Sequence, residues 1–332
     1  MCGAHPALGA GGETTEQVAP GAVIVRSLSG DGKASLLRKG SGTPVMNLSL
    51  KTRIVPGGVL ALALVAGSAS PVLADFNYPD FSSIAGLSLN GASVQTTPTL
   101  AITPPVRASA GSFWRSDRQG IVNGFDTTFT FRVRDISGRG SDGFAFVVQN
   151  SAAGSAALGG RGGALGYATN EVFFASPGQQ GIENCLAVEF DTYDNSGDWT
   201  DFTNGSHISV QTNGTADNRP SEGFSLGRYL TPSAFADSNV HTARIAYTPG
   251  SMDIYLDNLT VPVLSVAVNL GSLLNLSSGQ SFVGFTAGTG AQVDVERHEI
   301  NSWEFGSTIV PTPAAASLLA TGGLLIGRRR RR

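Results

Sequence analysis

Hydrophobic positions in the middle and second half of the chain recur in short runs, where they alternate with polar positions or are dominated by β-branched residues. Clusters of Gly, Asn, Asp, Ser or Pro bound each run, a spacing typical of antiparallel strands joined by turns. The runs occupy residues 127–136, 143–150, 185–193, 207–214, 240–248, 252–258 and 281–289. No segment between them keeps a helical period over about 11 residues, and the best candidate, SLLNLSS from Ser272, predicts a short turn at most. The pattern therefore predicts an all-β fold, an antiparallel two-sheet sandwich.

Length and composition narrow the class of protein. The chain has 332 residues, 41% of them hydrophobic and 14% charged, with 43 Gly and 16 Pro. So many turn formers and so few charged helix formers disfavour a helical bundle or a coiled coil. The strand-rich part spans about 235 residues, which favours one large two-sheet domain over two small ones.

Charge is distributed unevenly along the chain. The formal net charge is −3, but residues 75–327 contain 11 Arg, no Lys and 22 Asp and Glu, a net charge of −11. Such an acidic body repels phosphate backbones, so no nucleic-acid partner is expected. Cys185 is the only thiol in this part of the chain, which excludes an internal disulfide framework there.

The segment 46–74 has the three-part layout of a secretory signal peptide. Lys51 and Arg53 precede an apolar run at 59–66, and the small-residue ending VLA predicts cleavage before Asp75. The apolar run is well short of the ~20 residues that span a bilayer. Residues 1–45 precede this complete signal, and we expect them to be a gene-model extension or a disordered leader, with Met46 as the true start.

The last segment, 308–332, combines two prolines, a short apolar run and five arginines in VPTPAAASLLATGGLLIGRRRRR. It resembles the PEP-CTERM sorting tails that exosortase-type enzymes of Gram-negative-type bacteria recognise and remove, with Thr in place of the usual Glu. The resemblance implies an exported protein, extracellular or on the cell surface, that touches the membrane only transiently through this tail. A simple tail anchor is the alternative, although the run is short for a full span.

The residues that could bind a metal ion are concentrated between Glu189 and His207. Strand side chains alternate, so Glu189, Asp191 and Tyr193 project the same way, and paired acids repel unless they share a cation. The polar residues of the following loop are Asp194, Asn195, Asp198, Asp201 and Asn204. Carboxylate, amide and carbonyl oxygens suit Ca²⁺, whereas carboxylates with one imidazole suit Mn²⁺ or Zn²⁺. An acidic solvated turn is the alternative, but it explains neither the paired acids nor the return to His207.

The segment LAVEFDTYDN, followed by Asp and His, resembles the metal-binding strand and loop of L-type (legume-type, concanavalin-A-like) lectins. Three further stretches match in family order: SDGFAFVVQN, GGALGY and FVGFTAGTGAQVDVERHEINSWEF. The resemblance covers the chain from about Phe76 to Phe305. It implies a concanavalin-A-like jelly roll over residues 75–307 that binds carbohydrate without catalysis.

The resemblance also implies the roles of individual residues. The ligands of a transition ion, expected to be Mn²⁺, would be Glu189, Asp191, Asp201 and His207. The ligands of Ca²⁺ would be Asp191, the carbonyl of Tyr193, Asn195 and Asp201. The loop departs from the family, because the intervals from Asn195 to Asp201 and from Asp201 to His207 are each one residue longer than in plant members. Asp198 is therefore a competing candidate for the place of Asp201.

The carbohydrate-binding residues implied by the resemblance are Asp142, Gly163, Tyr193, Asn195, Ala291 and Gln292. Asp142 would follow a cis peptide from Ser141, and the aromatic ring of Tyr193 would form the apolar wall. Trp199 is a second candidate platform or a partly buried loop residue. LGGRGGALGY could also be read as a phosphate-cradling loop, but it lacks the Lys-Ser/Thr ending of a P-loop.

The sequence thus predicts a secreted, Ca²⁺-dependent protein whose partners are glycans or polysaccharide. Weak binding at each site would require several copies on a surface or in a homo-oligomer for stable attachment. Two other functions remain open. A laminarinase-type glycoside hydrolase would use Glu189 and Asp194, the latter one methylene shorter than the Glu such enzymes carry. A structural surface protein would bind the metal ions but no sugar. The substitution Asp142→Ala separates a lectin from these two alternatives, because only a lectin should lose sugar binding.

Overall fold

A computed structural model of the chain describes residues 26–28, 34–36, 72–170, 179–193, 206–231 and 234–308. The chain divides into two compact units, Met1–Ala66 and Gly67–Arg332. The described residues of the first unit form an antiparallel pair, β1 (Arg26–Leu28) and β2 (Ala34–Leu36), which the sequence pattern does not predict.

Sixteen described strands lie in the second unit. They are β3 (Val72–Tyr78), β4 (Leu87–Gly91), β5 (Val94–Thr96), β6 (Thr99–Thr103), β7 (Ala110–Arg115), β8 (Gln119–Gly120), β9 (Phe125–Ser137), β10 (Gly143–Gln149), β11 (Cys185–Asp191), β12 (His207–Thr212), β13 (Ser225–Leu230), β14 (His241–Thr248), β15 (Ser251–Leu256), β16 (Leu264–Val266), β17 (Gln280–Gly288) and β18 (Val295–Thr308). The described helical segments are α1 (Leu270–Leu273) and three 3-10 turns, Gly154–Ala156, Gly162–Ala164 and Glu222–Phe224.

The strands of the second unit build two eight-stranded sheets. The front sheet has the order β13-β12-β11-β10-β17-β7-β4, with β8 paired to the start of β17. The back sheet has the order β16-β15-β14-β9-β18-β6-β5, with β3 paired to β18. The described pairings are antiparallel, and the prediction of an all-β, antiparallel two-sheet sandwich is confirmed. Each of the seven predicted strands is present within two residues of its predicted bounds.

The hydrophobic core lies between the two sheets. Along β9 buried positions alternate with half-buried ones from Phe125 to Val133, so every second side chain enters the core. Phe129 of the back sheet meets Phe285 of the front sheet edge-on, with ring centroids 4.8 Å apart. Trp303 of β18 is fully buried in this core.

The strands β10 and β11 are buried on both faces. Their outer face is covered by a second apolar cluster that includes Trp114, Val147, Leu165 and Tyr167. A strand buried on both sides carries a nearly continuous apolar run, which explains the sequence GFAFVVQ of β10. Polar side chains on the outer face of β11 are therefore shielded from water.

The predicted processing segments fall mostly outside the described residues. β3 begins at Val72, three residues before the predicted cleavage point at Asp75, and pairs with β18 as far as Thr308. Apart from β1, β2 and the residues of β3 and β18, the segments 1–45, 46–74 and 308–332 are not described, so these assignments stay predictions. Within the described part of the chain, no helix is long and apolar enough to cross a membrane.

Candidate metal and ligand site

The acidic residues of β11 lie on the outer face of the front sheet. Glu189 and Asp191 flank the core residue Phe190, so their carboxylates project away from the inter-sheet core. His207 lies directly opposite Asp191 in the register of β11 and β12. The exposed fractions of Glu189, Asp191 and His207 are only 3%, 5% and 1%. The structure thus brings the two acids and the imidazole to one buried face.

A further side chain, Glu222, joins this cluster. Oε1 of Glu189 lies 3.4 Å from Nε2 of His207, and Oε1 of Glu222 lies 3.5 Å from the same nitrogen. The hydroxyl of Tyr167 donates to Oε2 of Glu189 at 2.7 Å, and the amide of Gln211 donates to Oε1 at 3.2 Å. One ligand atom each from Glu189, His207 and Glu222 lies within 4.8 Å of the other two. These atoms are close enough to share one ion.

No sequence motif points to Glu222. It stands fifteen positions after His207, in a 3-10 turn between β12 and β13, and no motif surrounds it. Its place in the cluster depends on how this connection folds back over the front sheet. The only available signal is that an acid follows the His207 strand in a turn-rich connection.

The electrostatics of the cluster favour a cation. Burial opposes protonation of His207, but the carboxylates of Glu189, Glu222 and Asp191 outweigh burial and raise the pKa of His207 to about 12. Burial also opposes ionisation of Glu222, yet His207 and Arg228 outweigh it and lower the pKa of that carboxyl. A divalent ion would supply the positive charge and displace the imidazole proton. Buried carboxylates with one imidazole fit a first-row transition ion such as Mn²⁺ or Zn²⁺.

The predicted Ca²⁺ ligands are described only in part. Oδ1 of Asp191 accepts a hydrogen bond from the backbone N–H of Tyr193 at 2.8 Å, which turns the chain at the end of β11. The next residues, 194–205, lie outside the described part of the chain. The predicted site residues in this segment are Asn195, Asp198, Trp199 and Asp201. The choice between Asp198 and Asp201 as the shared ligand therefore stays open.

Asp142 lies immediately before β10, and the peptide bond that joins it to Ser141 is cis, as the resemblance implies. Its N–H donates to the carbonyl of Gly288 at 3.1 Å, and its carbonyl accepts from the N–H of Thr192 at 2.9 Å. The side chain is only 5% exposed, and within the described part of the chain its Oδ2 accepts no hydrogen bond. Burial, followed by the negative charge of Glu296, raises the pKa of Asp142 to about 7. A buried carboxylate of this kind favours a ligand that brings hydrogen-bond donors.

Two glycine loops flank Oδ2 of Asp142. A β-carbon on Gly290 would lie 3.5 Å from this oxygen, and one on Gly162 would lie 3.9 Å from it. Gly163 is the middle residue of the 3-10 turn that begins at Gly162. The small residues leave the space beside the carboxylate open to a ligand.

The glycines of the LGGRGGALGY segment are also required by close packing against β17. A β-carbon on Gly288 would lie 2.4 Å from the carbonyl oxygen of Gly162. Gly166 has a φ of +73°, and a β-carbon there would lie 2.7 Å from the carbonyl oxygen of Ala287. Backbone packing thus accounts for this glycine pattern, and the 3-10 turn is not the long helix that follows a phosphate-binding loop.

The loop between β17 and β18 completes this end of the front sheet. Ala291 and Gln292 are exposed on it. Ser141 ties the loop to the cis peptide, because its hydroxyl accepts from the N–H of Gly290 at 3.2 Å and donates to the carbonyl of Asp294. The carboxylate and the exposed loop are thereby held side by side.

The family of the chain follows from comparison with known proteins. Residues 73–320 match the family model of the legume lectin domain. The chain belongs to this family. The predicted resemblance to legume-type lectins is therefore confirmed.

Known legume lectins align with this chain over most of their length. The lectin of Bauhinia forficata is 30% identical over 246 residues, which cover 70% of this chain and 95% of the relative. Lectin-4 of Griffonia simplicifolia is 30% identical over 257 residues, which cover 71% of this chain and 96% of the relative. The solved structure of the Bauhinia forficata lectin in complex with GalNAc has a TM-score of 0.52 at 26% identity, covering 71% of this chain and 98% of that one.

In this legume lectin domain the ring of Tyr193 is partly covered. The guanidinium of Arg139 lies over it, with Cζ 4.5 Å from the ring centroid, and also contacts the Tyr193 hydroxyl. That hydroxyl donates to Oδ2 of Asp294 at 3.2 Å. Neither Arg139 nor Asp294 is identified by the sequence analysis.

Most of the predicted carbohydrate-binding residues of the lectin domain meet at one end of the front sheet. The register places the start of β10 opposite the ends of β11 and β17, where Gly143 pairs with both Asp191 and Gly288. The residues gathered there are Asp142, Gly163, Tyr193, Ala291 and Gln292. The sixth, Asn195, lies outside the described residues. Their binding roles stay predictions.

Proposed function

We propose that this legume lectin domain is a non-catalytic, Ca²⁺-dependent carbohydrate-binding protein of the cell exterior. The observation that carries the proposal is Asp142, a buried carboxylate whose Oδ2 lies between the loops of Gly162 and Gly290 and accepts no hydrogen bond from any residue that the structure describes. Sugar hydroxyls are compact neutral donors that can enter such a space and satisfy this oxygen.

Within the pocket each residue has its own task. Asp142 accepts hydrogen bonds from sugar hydroxyls, while the backbone N–H of Gly163 and the side-chain amide of Asn195 donate to them. The ring of Tyr193 packs against the apolar face of the sugar. The residues from three separate loops together define one sugar orientation.

Specificity is assigned to the exposed loop of Ala291 and Gln292, which borders the pocket. Because the Bauhinia forficata relative was solved with GalNAc, GalNAc and galactose are the first sugars to test, followed by other glycans and polysaccharide. A shallow polar pocket exchanges water for each hydrogen bond it forms, so binding per site is weak. Several copies, on a surface or in a homo-oligomer, supply stable attachment.

Two ions support the pocket. The residues that would hold a transition ion, Mn²⁺ first, are Glu189, Asp191, Asp201 and His207. The residues that would hold Ca²⁺ are Asp191, the carbonyl of Tyr193, Asn195 and Asp201. When bound, the ions neutralise the buried acids and fix the segment that carries Asn195. The buried contact of Glu189 with His207, at 3.4 Å, supports this assignment.

The enzyme alternative receives less support. A laminarinase-type hydrolase would use Glu189 as a catalytic carboxylate, together with Asp194. Glu189 is only 3% exposed, and both of its oxygens accept hydrogen bonds, from Tyr167 and Gln211. A carboxylate engaged in this way is poorly placed to reach a glycosidic bond.

We further propose that the protein is exported by the signal peptide 46–74 and sorted by the PEP-CTERM-like tail 308–332. An exosortase-type enzyme would remove the tail at the surface of a Gram-negative-type bacterium. Mass spectrometry of the exported protein should then give an N-terminus at Asp75. Recovery of peptides from residues 1–45 would contradict Met46 as the start.

A glycan array of the full chain tests sugar binding. We expect binding to one sugar class in Ca²⁺ and Mn²⁺, and its loss after chelation and in Asp142→Ala. The matched control is Asp117→Ala, whose side chain is 83% exposed and far from this loop cluster in the sequence. Binding that survives chelation or the Asp142 variant contradicts the proposal. No binding in any arm, with a melting temperature that still rises on adding Ca²⁺, supports the structural surface protein instead.

A further inference from the structure

Glu222 is an acid whose side chain is nearly buried. Its side chain is 7% exposed, and it belongs to the 3-10 turn that leads from the β12 connection into β13. One oxygen, Oε2, accepts a hydrogen bond from Arg228 at 3.2 Å. The other, Oε1, is buried and accepts no hydrogen bond from the described residues. A carboxylate oxygen buried in this state is unfavourable unless a cation shares it.

That oxygen points toward the cluster on β11 and β12. It lies 3.5 Å from Nε2 of His207, which is itself 3.4 Å from Oε1 of Glu189. The three atoms are all within 4.8 Å of one another. Atoms that bind one transition ion at about 2.0–2.2 Å are separated by comparable distances.

We propose that Glu222 is a direct ligand of the transition ion, an additional carboxylate supplied by the β12–β13 connection beside Glu189 and His207. This inference rests on the metal site of the proposed function and adds a residue that the family resemblance does not assign. The ion then joins β11, β12 and the turn before β13 directly. Because Glu222 lies outside the 194–205 segment, metal binding depends less on the ligand that this segment is proposed to supply.

The added ligand also sets the chemistry of the site. Carboxylates combined with one imidazole favour Mn²⁺ or Zn²⁺ over soft ions that prefer sulfur ligands. Arg228, whose side chain is 43% exposed, balances part of the added negative charge without entering the cluster. A second explanation of the geometry is that Glu222 serves only as counter-ion to a protonated His207.

The two explanations differ in metal affinity, which can be measured on the full chain after chelation. Mn²⁺ is titrated, and free Mn²⁺ is followed by electron paramagnetic resonance. We expect Glu222→Gln to weaken Mn²⁺ binding at least about tenfold. The matched control is Glu304→Gln on the back sheet, an exposed acid that should leave the affinity unchanged. Wild-type affinity in Glu222→Gln overturns the inference.

A spectroscopic arm separates a ligand from a residue that acts through its neighbours. With Co²⁺ in place of Mn²⁺, Glu222→Gln should change the visible absorption bands of the ion, whereas Arg228→Gln should leave them unchanged. If Glu222→Gln does not fold, Glu222→Asp keeps the charge with a shorter reach, and its Co²⁺ bands should shift. Unchanged bands in the folded variant make Glu222 a counter-ion and overturn the inference.

The outcome also distinguishes this inference from the proposed function. Wild-type protein that binds no transition ion overturns the metal site and the inference together. Wild-type protein that binds Mn²⁺ and shows Ca²⁺-dependent glycan binding, with Glu222→Gln equal to it in Mn²⁺ affinity, overturns the inference alone.

Discussion

The guanidinium of Arg139 stacks on the ring of Tyr193, with Cζ 4.5 Å from the ring centroid. Asp294 supports this arrangement from the loop after β17, because its Oδ1 accepts the backbone N–H of Arg139 at 2.9 Å. The Arg139 side chain is 66% exposed. Its guanidinium can therefore leave the ring and remain hydrated.

Arg139→Ala should strengthen sugar binding. The proposed function assigns the ring of Tyr193 to the sugar, and Arg139 occupies one of its faces. A cation–π contact at an exposed site contributes about 0.5–1 kcal/mol, so removing the competitor should raise the affinity for the preferred sugar about two- to fivefold. Isothermal titration with that sugar measures the change.

Tyr193→Phe is the control for this prediction, because it keeps the ring and removes the hydroxyl that donates to Asp294. It should retain most of the affinity, whereas Tyr193→Ala should lose it. An Arg139→Ala affinity equal to that of the wild type, alongside loss in Tyr193→Ala, would mean that the sugar uses the opposite face of the ring.

Removing one arginine of the Glu299 ion pair should destabilise the sandwich. Nε and Nη2 of Arg134 donate to the two oxygens of Glu299 at 2.8 Å each, and the Glu299 side chain is fully buried. Arg132 lies 3.5 Å away and remains as a weaker partner. Arg134→Met leaves a buried carboxylate with poorer hydrogen bonding and should cost about 1–3 kcal/mol in free energy of unfolding.

Urea unfolding of the metal-saturated protein measures this loss, and Glu299→Gln provides the comparison. In that variant Arg134 keeps its contact with Asp135, and both Arg132 and Arg134 are about one-third exposed and can be hydrated. The loss should therefore be smaller than for Arg134→Met. The reverse order would show that packing of Arg134, rather than its charge, dominates.

The hydrophobic pattern predicts seven of the described strands and misses others, among them β18, which lies between β9 and β6 in the back sheet. The run of β9 is long and alternates strictly, so its hydrophobic face can only be satisfied by a second sheet. The edge strand β13 carries partly exposed hydrophobics, Leu226 at 42% and Leu230 at 53%, and its period gives little contrast. Its position depends on pairing with β12, which local sequence does not encode.

The candidate site shows the same contrast between residues that the local sequence pattern places and residues that tertiary packing places. Glu189 and His207 can be placed together from sequence, since alternation and antiparallel pairing fix their common face. Glu222 and Arg139 reach the site from connections between strands, so their position follows from tertiary packing. His241 also owes its surroundings to tertiary packing, because its side chain is only 15% exposed and is paired with Asp257.

The contact between His241 and Asp257 predicts that the free energy of unfolding depends on pH. Burial opposes protonation of His241, but Asp257 and Asp237 outweigh it and raise the pKa of the imidazole. In the unfolded chain the pKa of a histidine is about 6.5. Because the pKa of His241 is higher in the folded state, its protonation stabilises the folded protein fully at pH values below about 6.5. This stabilisation is lost as the pH rises through the pKa of the folded state. The difference in unfolding free energy between wild type and His241→Gln should be largest near pH 6 and shrink toward pH 9. Urea titrations across this range test it, and a difference that grows with pH contradicts it.

Gly288→Ala should impair sugar binding without touching any residue proposed to contact the sugar. The new β-carbon would lie 2.4 Å from the carbonyl oxygen of Gly162, so either β17 or the turn that presents Gly163 must move. Since a displacement of about 1 Å suffices to disrupt a preorganised site, the affinity for sugar should fall at least about tenfold.

Gly120→Ala is the matched control for this prediction, because its β-carbon would meet only Ser307, at 3.4 Å, in ordinary contact. Mn²⁺ affinity should be retained in both variants, since the metal cluster lies on β11 and β12. Loss of Mn²⁺ binding in Gly288→Ala would show instead that the whole front sheet is distorted, and unchanged sugar affinity would remove the Gly163 turn from the pocket.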